Sequence, residues 1–255
     1  MITSKLQGGL GNQMFQISAA YSLSKDLGVE CGFDFEQCHT PAQGNTSNKY
    51  KDNVLKKIKN ISLDFKKFKQ YSQKQFSYTE IPKNDNLILN GDFQSEKYFN
   101  KYKDDVKALF YCDDDKIKEI GKRLSGFDIV TSIHVRRGDY LNKPNFHTSC
   151  GIEYYKKAIS LIGGGDFIFV SDDIDWCKNN FKGPNIHYSP FTNEVDDLYL
   201  MVLCDNQIIA NSSFSWWGGY LCTYHNNIVI CPKNWFGPKG PKDTQDIYLN
   251  NWLKI

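Results

Sequence analysis

Ile129-Val130-Thr131-Ser132-Ile133, running straight into His134-Val135-Arg136-Arg137-Gly138-Asp139-Tyr140, is the stretch on which the reading of this 255-residue chain turns. The first five residues form a short apolar, β-branched run, the pattern of a buried strand. A histidine, two arginines and an aspartate then crowd its carboxyl end, with Gly138 to turn the chain. Ligands of open α/β sheets bind at that end of the strands. Guanidinium forks match phosphate oxygens, and two adjacent ones suit a diphosphate. A surface ion pair at a strand end is the competing reading, and the rest of the chain must decide between them.

Composition narrows the choice. A chain of this length can bury a full core as one large domain or two small ones. A net charge of +2 argues against nucleic acid or an anionic membrane as the main partner. Cys31, Cys38, Cys112, Cys150, Cys177, Cys204, Cys222 and Cys231 are scattered without a C-x-x-C pair, several inside apolar runs. They read as free thiols in a reducing compartment, not as a zinc site or disulfide frame. No signal peptide pattern opens the chain and no apolar run approaches membrane-spanning length, so a soluble protein is expected.

In chain order, Gly8-Gly9-Leu10-Gly11-Asn12-Gln13 follows a short N-terminal strand and opens a helix whose apolar positions repeat from Met14 to Leu27, with Gly28 as the stop. Such a turn aims free N–H groups at a ligand, but it lacks the third glycine of the dinucleotide fingerprint and the G-K-[ST] ending of a P-loop. Val29 to Phe35 reads as a second strand, Leu87 to Gly91 as a third, and Lys97 to Phe110 as a helix. Residues 37–86 are rich in Asn, Gln, Ser and Lys, and Lys49 to Lys69 reads as a solvated face, with a mobile flap as the alternative. Asp113-Asp114-Asp115 fits helix capping before Lys116 to Leu124 better than metal binding.

The second half alternates regularly. Helices are expected over Ile152–Ile162, Asp175–Phe181, Glu194–Cys204 and Ser213–Tyr224, and strands over Asp166–Val170, Asn185–Tyr188, Gln207–Ala210 and Asn227–Cys231. Repeated βα units mean a parallel, doubly wound sheet. Expected domains are an α/β acceptor-side unit over 1–125 and a Rossmann-like unit over 126–245. A C-terminal segment, 246–255, is read as a helix packing back across the two. Further constellations fall at strand ends. Ser171-Asp172-Asp173 could take ribose hydroxyls, hold an arginine or cap a helix. Asn211-Ser212-Ser213-Phe214-Ser215-Trp216-Trp217-Gly218 offers hydroxyls and helix N–H groups for phosphate, or a plain cap. Asp196-Asp197 could cap a helix or bind a base. All point to one sheet edge, which favours a nucleoside-diphosphate site over isolated surface features.

Four blocks, Gly8 to Gln16, His134 to Tyr140, Ser171 to Cys177 and Asn211 to Gly218, resemble in sequence and order the motifs of the α-1,2-fucosyltransferase family, and His147 to Ile159 resembles its bacterial members. That family is distantly similar to the α-1,6- and protein O-fucosyltransferases. The resemblance implies a GT-B-like fold of two Rossmann-like domains facing a cleft. It implies inverting, metal-independent transfer of L-fucose from GDP-β-L-fucose to the 2-hydroxyl of a galactose-containing glycan, with no cofactor beyond the donor. Another GDP-sugar transferase and a non-catalytic GDP-sugar-binding module are the alternatives. By the same resemblance Arg136 holds the leaving diphosphate and His134, Arg137, Asp172, Asp197, Ser212 and Ser213 bind the donor. Gly11 and Asn12 reach it from the N-terminal domain. For the general base, Asp139, His147 and Glu153 are candidates by proximity. The α-1,6 relatives carry a glutamate shortly after the motif, whereas Leu141 to Phe146 contains no acid. Animal relatives carry a membrane anchor before their first motif. Here that motif starts at residue 8, which implies a bacterial or viral cytosolic enzyme, with peripheral association at the inner membrane face left open.

Overall fold

The computed structural model describes residues 1–40, 44–222, 224 and 226–255. Contacts divide the chain into two units: residues 1–111 with 241–249, and residues 112–240 with 250–255. The division precedes the expected boundary between 125 and 126. The helix Asp114–Gly121 explains it: Ile120 is fully buried and Lys116 pairs with Asp196 at 2.8 Å, both within the second unit.

The first unit holds a three-stranded parallel sheet, β1 (Ile2–Ser4), β2 (Lys69–Ser72) and β3 (Leu87–Asn90), in the order β1-β3-β2. Helix α1 (Leu10–Leu27) is buried along most of its length and ends at Gly28 in the left-handed conformation, φ 65°. Its buried glutamines are satisfied locally: Gln13 Nε2 donates to the Gly8 and Asn45 carbonyls at 2.9 Å, and Gln16 exchanges bonds with the Gln7 backbone. These bonds lock the turn that precedes the helix.

Two expectations for this unit fail, and a third, the solvated face, stands with an addition. Val29 to Phe35 forms only isolated bridges, Cys31 to Ile2 and Phe33 to Asn60, so no ladder propagates. The helix expected over Lys97 to Phe110 is broken by Phe99, at φ −141° and fully buried against Phe15. Short 3-10 turns precede it and follow it, and regular helix begins only at α2 (Lys103–Phe110). In the polar segment, Tyr50, Val54 and Leu55 are buried beneath exposed lysines, so apolar anchors hold the solvated face down.

In the second unit, α3 (Asp114–Gly121) leads into β4 (Val130–Val135), α4 (Ile152–Ile162), β5 (Asp166–Ser171), α5 (Ile174–Asn180), β6 (Ile186–Tyr188), α6 (Glu194–Leu203), β7 (Asn206–Ile208), α7 (Ser213–Leu221), β8 (Val229–Cys231) and β9 (Leu253–Lys254). All its strands are parallel, in the order β6-β5-β4-β7-β8-β9. Counted from β4, that is 3-2-1-4-5-6, the doubly wound dinucleotide-binding order. The α/β architecture with a parallel sheet in the C-terminal half is thus the one expected. The C-terminal helix is not: Gln245–Ile247 is a single 3-10 turn, and the last residues add β9 beside β8. A strand of two residues is too short to show any periodicity.

The sheet packs Ile133, Val135, Phe167, Phe169 and Ile208 into the core, and Trp216 and Trp217 of α7 are fully buried. Cutting either tryptophan to alanine would cost about 3–5 kcal/mol. Among the described residues all eight cysteines are free thiols, and no helix is long and apolar enough to cross a membrane.

Candidate active site

In a doubly wound sheet the order of strands reverses between the first and fourth, here β4 and β7, and their diverging connections leave a crevice outside the carboxyl ends. His134 to Tyr140 follows β4 and Asn211 to Gly218 follows β7, so the topology brings these two blocks to the switch point.

Arg136 is the centre of the β4 end. Its Nη2 donates to Asp139 Oδ1 at 2.5 Å and its Nη1 lies 3.0 Å from Asp172 Oδ2. Its guanidinium lies 5.5 Å from the Tyr140 ring centroid. Arg137 is held by Asp173, Nε to Oδ2 3.0 Å, and by Trp176, 4.3 Å from cation to ring centroid. Asp172 also accepts the Arg137 backbone N–H at 2.9 Å. Gly138 is required here, because a β-carbon would lie 2.6 Å from Asp172 Oδ2. Two arginines are therefore fixed by three carboxylates, with side chains 26% and 20% exposed. Such a partly desolvated, rigid pair loses little order on meeting phosphate.

The β7 end is tied to the β4 end. Tyr140 Oη donates to the Asn211 carbonyl at 2.9 Å, and the His134 and Phe214 rings lie 5.4 Å apart. Asn211 is buried, its amide donating to the Thr148 and Trp235 carbonyls, so it pins the surrounding loops. Ser212 is the N-cap of α7, but its side chain caps no helix N–H. With Ser213 it stands where N–H groups and the positive helix end favour an anion.

His134 is nine-tenths buried or more, its Nδ1 has no hydrogen-bond partner among the described residues, and burial together with Arg136 lowers its pKa to about 3. It is a neutral imidazole. Asp196 and Asp197 separate in role. Asp196 pairs with Lys116 and with the capping Asn193, whereas Asp197 accepts from Ser189 Oγ at 2.5 Å and burial raises its pKa to about 6.

The candidate bases fare unequally. Asp139 is committed to Arg136. His147 stacks on Tyr140 at 4.3 Å with rings nearly parallel, and burial lowers its pKa. Glu153 is a solvated carboxylate on the first turn of α4, its side chain 84% exposed. Among the described residues no group of three or more His, Cys, Asp or Glu could hold a metal ion. Asp113-Asp114-Asp115 opens α3, Asp113 as N-cap.

Gly11 and Asn12 belong to the first unit, at the first turn of α1. Gly8, at φ 76°, makes the approach possible, since a β-carbon there would lie 2.5 Å from Asn12 Nδ2. Asn12 Oδ1 accepts from Gln94 Nε2 at 3.0 Å. The Asp92-Phe93-Gln94 turn beyond β3 escaped the sequence reading, which sought arginines, serines and paired carboxylates at strand ends.

Comparison with known proteins gives concordant results. The profile described as Glycosyl transferase family 11 matches residues 1–255. The Escherichia coli O-antigen biosynthesis glycosyltransferase WbnK is 30% identical over 97% of this chain and 99% of its own length. An E. coli alpha-1,2-colitosyltransferase is 29% identical over 100% and 99%, and a Caenorhabditis elegans galactoside 2-alpha-L-fucosyltransferase 24% over 89% and 71%. Among solved structures, fucosyltransferase NodZ from Bradyrhizobium superposes with a TM-score of 0.51 at 11% identity, covering 85% of this chain and 91% of NodZ. POFUT1 in complex with GDP-fucose gives 0.53 at 10% identity, covering 90% and 98%. At such identities the structural likeness is one of fold, and that fold is GT-B-like.

Proposed function

This chain belongs to glycosyl transferase family 11, the α-1,2-fucosyltransferase family, and from that premise we propose that it transfers L-fucose from GDP-β-L-fucose to the 2-hydroxyl of a β-galactoside. Membership makes it a glycosyltransferase; donor, acceptor position and stereochemistry belong to the proposal. The observation that carries it is the Arg136 guanidinium, gripped by Asp139 and Asp172 at the switch point of the six-stranded sheet.

The acceptor oxygen attacks C1 of fucose from the face opposite the diphosphate, and its proton passes to a base. The C1–O bond to phosphate breaks with its electron pair, which departs on GDP. Positive charge spreads over C1 and the ring oxygen while negative charge grows on the β-phosphate. Arg136, with Ser212, Ser213 and the α7 N–H groups, supplies fixed positive potential where that charge grows. In this reading the protein does the work of a divalent cation. Arg137 holds the donor, Asp172 keeps both arginines in place, and Asp197 accepts from guanine N–H groups. His134, neutral and with an unpaired Nδ1, offers an acceptor on the same edge.

The colitosyltransferase relative favours one neighbouring reading. Colitose is fucose without its 3-hydroxyl, so the same clamp would serve a GDP-linked 3-deoxy sugar. Incubation with GDP-fucose or GDP-colitose and a panel of β-galactosides, following GDP release, separates the readings. Acceptor-dependent release from GDP-fucose supports the proposal, and preference for GDP-colitose supports its neighbour. Donor binding without turnover on any acceptor would leave a binding module.

A further inference from the structure

In the first unit, two residues beyond the central strand β3, Asp92 carries a carboxylate that makes no hydrogen bond or ion pair with any described residue. Its backbone is held firmly. Gln73 Oε1 accepts the N–H groups of both Asp92 and Phe93, at 2.8 and 2.9 Å. Phe93 is fully buried, edge-on to Tyr98, and forced to φ 50°, a left-handed conformation unfavourable for an aromatic residue. Burial pushes the Asp92 carboxyl pKa above its ordinary value. Gln94 is also buried: its Nε2 reaches Asn12, and its Oε1 is without a partner. Whichever way that amide is turned, one of its polar atoms is left unmatched.

A strained turn and a half-satisfied amide weaken the folded state, and beside them stands a half-buried carboxylate with no partner among the described residues. Burial of the Phe93 ring offsets the strained turn, but no described residue completes the carboxylate or the amide oxygen. Such groups persist where a ligand completes them. An ionised carboxylate is acceptor-only and can take two hydroxyl protons at once. We propose that Asp92, assisted by Gln94, binds a vicinal pair of hydroxyls on the acceptor sugar. The inference rests on the proposed fucosyl transfer. In a β-galactoside O1 is the linkage and O2 the nucleophile, so the remaining vicinal pair is O3 and O4. Asp92 is thus a specificity residue for galactose-type acceptors, while proton removal from O2 belongs to another group.

The test compares wild type with Asp92→Asn at saturating GDP-fucose, using methyl β-galactoside and its 3-deoxy and 4-deoxy forms. The variant is expected to raise the acceptor KM by about tenfold or more, as for loss of hydrogen bonds to a charged group. Its kcat should stay within a few fold, its GDP affinity should be unchanged, and its melting temperature should be equal or higher. Each deoxy sugar should cost wild type about tenfold in kcat/KM and cost the variant little. An unchanged KM with undiminished deoxy penalties overturns the assignment, as does a collapse of kcat at constant KM. If wild type transfers to no galactoside, the proposed function fails, and saturation-transfer NMR with methyl β-galactoside then decides the site. Binding lost in Asp92→Ala upholds it, and equal or absent binding overturns it.

Discussion

At the carboxyl edge of the six-stranded sheet both arginines of the turn after β4 are paired: Arg136 with Asp139 and Asp172, and Arg137 with Asp173. At the carboxyl edge of the three-stranded sheet the opposite holds: among the described residues Asp92 has no partner, and only one end of the Gln94 amide is paired. Both edges follow parallel strands, so topology does not explain the contrast. Chemistry does. A leaving diphosphate carries a charge that must be met by cations already in position, and neighbouring carboxylates orient those cations. A neutral sugar offers only hydroxyls, and a carboxylate kept free can take them.

The contrast breaks most severely at Arg136. Arg136→Ala should stay folded yet transfer about 10²–10³-fold more slowly, the usual loss for a preorganised donor to a developing charge. Near-normal turnover would remove the clamp from the mechanism. Asp172→Asn leaves both guanidinium groups present but releases Arg136 Nη1 from its carboxylate, and should cost about 10–10²-fold through misplacement alone. A loss no larger than twofold would mean that the pairing is only a surface contact.

Asp197 sharpens the comparison through pH. With its pKa raised to about 6 in the free protein, it is ionised at neutral pH and takes up a proton as pH falls through that value. If the carboxylate receives guanine N–H groups, GDP affinity is flat above about pH 7 and weakens below 6 by up to about tenfold per unit. Asp197→Asn should abolish that slope in a calorimetric titration, and persistence of the slope would assign it elsewhere. The smallest expected effect is none: excess EDTA should leave transfer unchanged if arginine and helix N–H groups meet the diphosphate. A loss restored by a divalent cation would overturn the metal-free reading.

Legibility followed the same divide. The second unit could be read because each βα repeat is long enough for periodicity and its strand ends are marked by arginine, aspartate or serine. Most of its strand and helix expectations stand within a few residues. The first unit was harder. Its strands are joined by polar segments anchored by a few residues such as Tyr50 and Leu55, and Phe99 breaks a helical pattern because its ring is wanted in the core. The two-residue strand β9 exists only through pairing with β8. Residue types at the arginine turn were legible, but which carboxylate holds which guanidinium is a tertiary fact. Asp172 could have met a ribose, and in the folded chain it meets Arg136. Asp92 was passed over because nothing local distinguishes a carboxylate that finds a partner from one that does not.

The most direct test is the NMR spectrum of the product formed from GDP-β-L-fucose and a β-galactoside acceptor. The account predicts an α-configured fucose joined to O2 of the galactose. A β-configured product, or fucose on another hydroxyl, would contradict it.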